Sequence, residues 1–463
     1  MSLVTEFGTY RLSACPNRSN GIGISLSKRA VNCVVLQQVG EWTDAELPRL
    51  NRAILGGEIP PGRLAEKCTD ELFPLLPKPD RVPVEQAKRL AVRLGFVGAS
   101  LGRHYQEWTP DGKRTPERAF DGLTVLGLPF RQYFGAIAER TGTGHCGRDT
   151  YASLVRWNVG TLKVLRGDET MAVLPGVFDD GKVRSYTGTP GEERFFLLVK
   201  QGEAIELAIN DVLGPLARPD EKLLGRDALV RVRLATELLG ALRQLFRDFA
   251  ALPPERGMPT DQFLDVFRQF AVHWTADDIP PSGALDPEAL KRDFLLGINL
   301  DGYETNVRRL FPALLTTERD AIETMMAEPT LPERVLAGIG KSAASLRDAG
   351  RGDLLRLVGE HPGLADWYSV LAAHARAAGA HLMLSKKFLF KPQQRRDAAG
   401  LGDKPLVSNR AGTTGMNETF LDRITRARQD HLLAPLRDVV TRETSDNTTN
   451  LGVPSPISVS RVG

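Results

Sequence analysis

The chain is predicted to be mainly α: a large all-helical domain preceded by a smaller, mostly helical one. Two observations lead there. From Arg194 onward, apolar residues recur at three- and four-residue steps in one segment after another, the spacing of a helix face. Beyond the first 40 residues, short apolar runs compatible with strands are confined to LKVLRGDETMAVLPGVF, residues 162–178, and no internal repeat or low-complexity core interrupts the helical pattern.

The 463 residues suffice for two or three domains, and a hydrophobic fraction of 42% with 25% charged residues is ordinary for a globular protein. Net charge is only +3, with Lys and Arg scattered among Asp and Glu, which argues against nucleic acid or an anionic membrane as partner. The four cysteines are far apart and form no zinc spacing, so a disulfide framework is not expected and a reducing cytoplasm is the simplest location. The first residues lack a charged start followed by a long apolar run, so no signal peptide is expected. No stretch approaches 18 uninterrupted apolar residues, the length of a membrane span.

Four regions follow in order: an extension (1–40), a small N-terminal domain (41–185), a helical domain (186–440) and a mobile tail (441–463). Within the extension, VNCVVLQQV reads as a short strand or a buried helical turn. Thr43 and Glu46 have the spacing of a capping box for a helix through Leu50 and Ile54. VEQAKRLAVRLGFVGASLGRHYQEW is a strong helix with Leu90, Leu94, Val97 and Leu101 on its buried face. Gly95, Gly98, Ala99, Ser100 and Gly102 thin one side of it for close packing. LPFRQYFGAIAERTG starts a helix near Pro129 and stops it near Gly142. A polar turn region at 179–193 marks the domain boundary. Beyond it, RFFLLVKQGEAIELAINDVLGPL, a segment over 226–252, and PTDQFLDVFRQFAVHW with Thr260 as cap are helices.

One later helix carries chemistry. In GLADWYSVLAAHARAAGAHLMLSKKFLFKP, Leu364, Trp367, Leu371, His374, Ala378, His381, Ser385 and Phe388 share a stripe. Two histidines on an apolar stripe are either hydrogen-bonded core residues or metal ligands. The small residues Ala377 to Ala380 before His381 leave room for something flat and bulky, and an imidazole is a standard proximal ligand of haem iron. The absence of CxxCH excludes c-type attachment.

FFLLVKQGEAIELAI (195–209), FLDVFRQFAVHW (263–274), the His381 helix and AGTTGMNETFL occur in an order that resembles the haem-dependent indoleamine/tryptophan dioxygenase superfamily. LPRLNR (47–52), LGFVGASLGRH (94–104) and RSYTGTPGE (184–192) bring the likeness nearest to its monodechloroaminopyrrolnitrin synthase branch. The resemblance runs over roughly residues 45–440, and its specificity lies in order and spacing. It implies an indoleamine dioxygenase-like fold with haem b on His381, and it leaves His374 as a packed helix residue. Phe263 and Arg268 would face the substrate, with the guanidinium fork holding a carboxylate. Tyr151, Phe195 and Val199 would line the distal pocket, and Gly412, Thr413, Thr414 and Gly415 would form a lid loop.

Departures from the family pattern are informative. The distal serine position is Val199, and a distal histidine has only His145 and His273 as candidates. The arginine expected three residues before the proximal histidine is Ala378, so Arg376, Lys386 or Lys387 would take its place near a haem propionate. The lid reads AGTTG. No general acid or base is assigned. The implied activity is that of a haem-dependent oxygenase using O2 on tryptophan or a modified aromatic amino acid, in specialised metabolism. Ordinary tryptophan ring cleavage to N-formylkynurenine, a haem sensor or carrier without turnover, and a cofactor-free helical interaction protein are the alternatives.

Overall fold

The computed structural model describes residues 36–110, 112–143, 147–298, 300–401, 405–440 and 455–462, and among these helices carry most of the chain. The fold is mainly α, as the periodicity predicts. No helix among the described residues is long and apolar enough to cross a membrane. Of VNCVVLQQV, residues 36–39 are helical and the rest lie outside the described residues. The helix over 36–41 passes through a π-helical turn, Trp42–Glu46, into α1 (Leu47–Leu55). Thr43 is therefore not a cap. The chain is already helical before it, and its hydroxyl donates back to the carbonyls of Val39 and Gly40, at 2.9 and 3.2 Å.

The strong helix is α2 (Val84–Trp108), and Leu90, Leu94, Val97 and Leu101 are buried as expected. Its thin side receives an aromatic ring: a Cβ on Gly98 would overlap the indole of Trp274, and one on Gly102 would stand 3.0 Å from Val272 Cγ2. Three of the motifs that carry the resemblance meet on this helix. Asn51 of LPRLNR donates to Ser100 Oγ at 2.9 Å and to the Tyr186 carbonyl at 2.8 Å, and its Oδ1 lies 2.8 Å from His104 Nε2. Burial makes each of these bonds obligatory, so the node fixes α1, α2 and the 184–192 turn together.

α3 (Phe130–Glu139) begins directly after Pro129, and the chain turns away at Gly142, whose φ is +77°. The extended run at 162–178 forms β1 (Leu162–Arg166) and β2 (Glu169–Leu174), an antiparallel hairpin. A third strand, β3 (Ile457–Arg461), joins the other edge of β1, pairing Leu162 with Arg461 and Arg166 with Ile457. The mobile tail expected at 441–463 is thus corrected at its end. ISVSR alternates small polar and β-branched residues, and such a pattern fits an edge that β1 leaves open. Residues 441–454 lie outside the described residues.

The helical part contains α4 (Pro190–Leu213), α5 (Arg226–Ala251), α6 (Pro287–Leu296), α7 (Tyr303–Leu310), α8 (Gly363–Ser385) and α9 (Glu418–Gln429). α5 packs along both α4 and α8. It runs parallel to α8: Leu229 lies over Gly363, Arg233 pairs with Asp366, and Phe246 reaches His381. The 260–270 segment is a distorted helix, a π-helical stretch Gln262–Phe267 followed by a 3₁₀ turn Arg268–Phe270.

Buried apolar residues fall into two main cores. One gathers α1, α2 and α3 but also Phe270, Trp274, Tyr303, Val307 and Ile322; the other holds the sheet, α4, α5 and α8. The first core draws on residues beyond 186, so the boundary at 185/186 does not separate the cores. Between them lies the cavity described next.

Candidate functional site

A cavity of about 370 Å³ opens where the two cores meet, within the size range of small-molecule sites. Phe195, Val199, Gly202 and Glu206 present one face of α4 to it, and Ala377, Ala378, His381, Leu384 and Ser385 present α8. The stripe read from the sequence thus divides. Leu364, Trp367, Leu371 and His374 pack into the core, while the residues from Ala378 onward line the cavity. Tyr151, Phe263, Arg268, Gly412, Thr413 and Thr414 also line it, so the structure brings His381 and the residues expected to face the substrate to one chamber. Three π-helical turns supply walls: Ala152–Arg156, Gln262–Phe267 and Lys386–Phe390. Such turns widen a helix locally and re-aim side chains, which is why they accompany sites.

His381 is exposed to the cavity although protein surrounds it on all sides. Phe246 packs on its ring at 5.4 Å between centroids, and neither ring nitrogen has a hydrogen-bond partner among the described residues. Burial holds its pKa below the ordinary value against the pull of Glu206, with Arg428 and Arg292 adding to the depression. The imidazole is therefore neutral, the form that ligates a metal. His374 differs. Its Nδ1 accepts from Arg292 Nε at 3.1 Å, and its Nε2 stands 3.1 Å from Asp293 Oδ1. Burial lowers its pKa to about 4, so it too is neutral, but Nδ1 is bonded and Nε2 faces a carboxylate instead of the cavity.

Arg268 is buried, at 7% exposure, against the loop that follows it in space. Its Nη2 donates to the Ser408 carbonyl at 2.7 Å and to the Ala411 carbonyl, while Nε has no partner. Among the described residues no carboxylate pairs with it, and burial pushes its pKa down to about 10. A fork-shaped cation without a counter-ion thus stands at the cavity wall. Beside it, Phe195 packs against Phe263 at 5.3 Å and against Phe267 at 5.1 Å, and Tyr186 stacks on Phe270 at 4.2 Å. Val199 adds an apolar surface with no hydroxyl. The Gly412–Thr414 loop is anchored at both sides: Thr413 donates to the Pro281 carbonyl at 2.9 Å, and Arg309 donates to the Thr414 carbonyl at 2.7 Å. Gly415 turns the chain at a φ of +84°, a conformation glycine adopts at no steric cost.

Several expectations need correction. Arg376 is exposed, Lys386 pairs with Asp422 at 2.9 Å, and Lys387 donates to the Ala250 carbonyl; none lines the cavity. Five or six residues from His381 round a helix turn a side chain away from it. The cavity's cations besides Arg268 are Arg292 and Arg428. His273 is on the surface, its Nδ1 2.8 Å from Asp278, and does not line the cavity. His145 lies outside the described residues.

The residues that sequence reading missed form the polar end of the chamber. Glu206, Asp286, Arg292, Asp293, Tyr303 and Arg428 line it, and Asp293 takes two bonds from Arg428, at 3.0 and 2.6 Å. The available signal was two glutamates, Glu203 and Glu206, inside the apolar run of α4, and an Asp-Pro pair opening α6. Among the described residues no group of three or more His, Cys, Asp or Glu side chains is arranged to hold a bare metal ion. His381 turns an imidazole without a hydrogen-bond partner among the described residues to the cavity, and Ala377, Ala378 and Phe246 set small and apolar surface beside it; these residues fit a haem.

No family model matches the chain, and no curated protein matches it.

Proposed function

We propose that the chain is a haem-dependent oxygenase of an aromatic amino acid, tryptophan or a modified relative, in specialised metabolism. The observation that carries this reading is the pairing, in one chamber, of an imidazole and a buried guanidinium that have, among the described residues, no hydrogen-bond partner on either ring nitrogen and no counter-ion respectively. The likeness to the indoleamine/tryptophan dioxygenase superfamily and its pyrrolnitrin-forming branch supports the same reading. The meeting of the three branch motifs at Asn51 supports it further.

In this proposal His381 would hold haem b, beside Ala377 and Ala378, with Phe246 packed on its imidazole. Haem bound there would supply activation of O2. The chain's own residues do the rest. Arg268 offers Nε, and the amino acid carboxylate that accepts from it neutralises a charge that burial has left exposed to no acid. Phe195, Phe263, Phe267 and Val199 hold the aromatic ring and exclude water. The Gly412–Thr414 loop, tied to Arg268 through the Ala411 carbonyl, feels directly whether the carboxylate is present. Positioning of this kind lowers the barrier by fixing the reacting atoms before the chemical step. A cytoplasmic location belongs to the same reading.

The test is the absorption spectrum of purified protein supplied with haem. A Soret band in the wild type that is lost in a folded His381→Ala variant is expected. Protein that stays colourless sinks the proposal.

A further inference from the structure

The polar end of the cavity holds more carboxyl groups than cations to balance them. Glu206 of α4 and Asp286 at the start of α6 line it, and Glu203, Glu288 and Glu318 are buried behind them. Arg156 bonds Glu203 and Glu318 and stands 3.7 Å from Glu288. Lys291 holds Glu288 at 2.9 Å, and Arg292 holds Glu206 Oε1 at 2.8 Å. Arg428 is taken by Asp293, and His374 and His381 are neutral. Among the described residues no cation pairs with Asp286.

Its remaining partners do not satisfy an ionised carboxylate and its neighbour together. Asp286 Oδ1 caps α6, accepting from the backbone N–H groups of Glu288 at 2.9 Å and Ala289 at 3.2 Å. Oδ2 faces the Tyr151 hydroxyl at 3.3 Å, whose single proton is also aimed at Glu203 Oε2, at 3.2 Å. Glu206 lies within hydrogen-bond reach of Asp286, and its Oε2 is buried with no donor. Two carboxylates in contact in a low-dielectric site do not both ionise. A proton between them supplies the donor that Glu206 Oε2 lacks. Burial, then Glu206 and Glu203, push the Asp286 carboxyl well above the usual carboxylate range, in the same direction.

We propose that Asp286 holds a proton toward Glu206 Oε2 at neutral pH and that Asp286 is the proton donor of the cavity, acting on the bound aromatic substrate. Both side chains line the chamber. In the step, the Asp286 O–H bond breaks, the proton passes to a basic atom of the substrate, and Asp286 is left as a carboxylate. The two α6 amides and Tyr151 hold that charge, and solvent water restores the proton after product leaves. Addition of oxygen across an indole double bond needs little help from an acid. A chamber with a built-in donor suits a rearrangement or hydroxylation whose intermediates must be protonated. The identity of the substrate rests on the function proposed above; the proton on Asp286 does not.

The test is infrared difference spectroscopy of the full-length protein without haem or substrate at pH 7. The carbonyl band of a protonated carboxylic acid is expected in the wild type, shifted in Tyr151→Phe and absent in Asp286→Asn. Asparagine still caps α6, so the variant should fold; if it does not, Asp286→Ser, whose hydroxyl also caps a helix, replaces it, and the band is again lost. A wild type without the band, or a band indifferent to all three changes, overturns the proton on Asp286. In haem-loaded protein turning over L-tryptophan, Asp286→Asn should lower kcat by about 10²-fold with KM nearly unchanged. Unchanged kcat overturns the donor role. A colourless protein that keeps the band retains the proton on Asp286 and removes the haem reading instead, so the two failures are distinct.

Discussion

Arg268 is the residue whose burial is hardest to account for without a ligand. A guanidinium taken out of water needs acceptors for its donors and an opposite charge nearby, and here it has two backbone carbonyls and, among the described residues, no acid. An amino acid carboxylate supplies both. A charge-assisted hydrogen bond contributes about 1.5–3 kcal/mol, so Arg268→Ala should weaken binding of L-tryptophan by roughly 10- to 100-fold. Indole, which has no carboxylate, should bind both proteins alike. Calorimetric titration with the two ligands decides it: equal loss for both, or for neither, removes the carboxylate role. The same residue shows how far single positions were legible. That Arg268 would meet a carboxylate followed from the family resemblance. Its lack of a partner did not, because a missing ion pair is a property of the folded surroundings. His374 and His381 were indistinguishable by spacing for the same reason. What separates them is Arg292 and Asp293, which reach His374 from another helix.

At the scale of elements, helix faces were readable and their distortions were not. The buried side of α2 and the stripe of α8 came directly from periodicity, since a 3.6-residue repeat fixes which side chains share a face. The π-helical turns at Ala152–Arg156, Gln262–Phe267 and Lys386–Phe390 have no comparable signature; each arises where a wall bends round the cavity. The false cap at Thr43 shows a local motif overridden by helix already formed upstream. The thin side of α2 was legible, but not what fills it. Trp274 does, packed also against Phe120 and Phe134, each at 5.3 Å, and it ends the segment that carries Phe263 and Arg268. Gly98→Ala places a methyl group inside that indole. Overpacking of a rigid core site costs about 1–3 kcal/mol. The urea midpoint should fall accordingly, and the displaced Trp274 should weaken L-tryptophan binding as well. An unchanged midpoint would show that the indole has room to move.

The whole molecule is organised by the meeting of two cores, with the chamber on their seam and each core supplying one side of it. The polar network of Glu203, Glu206, Asp286 and Asp293 crosses that seam, joining α4 to α6, and Arg428 extends it to α9. Such long-range closure leaves no trace in local sequence pattern, which explains why the carboxyl pair went unread while the haem helix did not. The tail was misread for a similar reason: ISVSR looks like linker until β1 offers it an edge. β3 crosses α4 and α5, and Ile457 and Val459 pack on the second core. Its pairing with β1 is closed at both ends by Gly167 N–H to Pro456 O and Val462 N–H to Thr161 O. Removing residues 455–463 strips two half-buried aliphatic side chains and an edge of backbone bonds, a loss of about 2–4 kcal/mol. For a chain of 463 residues, whose unfolding entropy is on the order of 1 kcal/mol per kelvin, the melting temperature should drop by about 2–4 °C. The cavity is built by other elements, so the truncated protein should take up haem with an unaltered Soret band. Loss of that band on truncation would mean that β3 holds α4 and α5 in the spacing that the chamber requires.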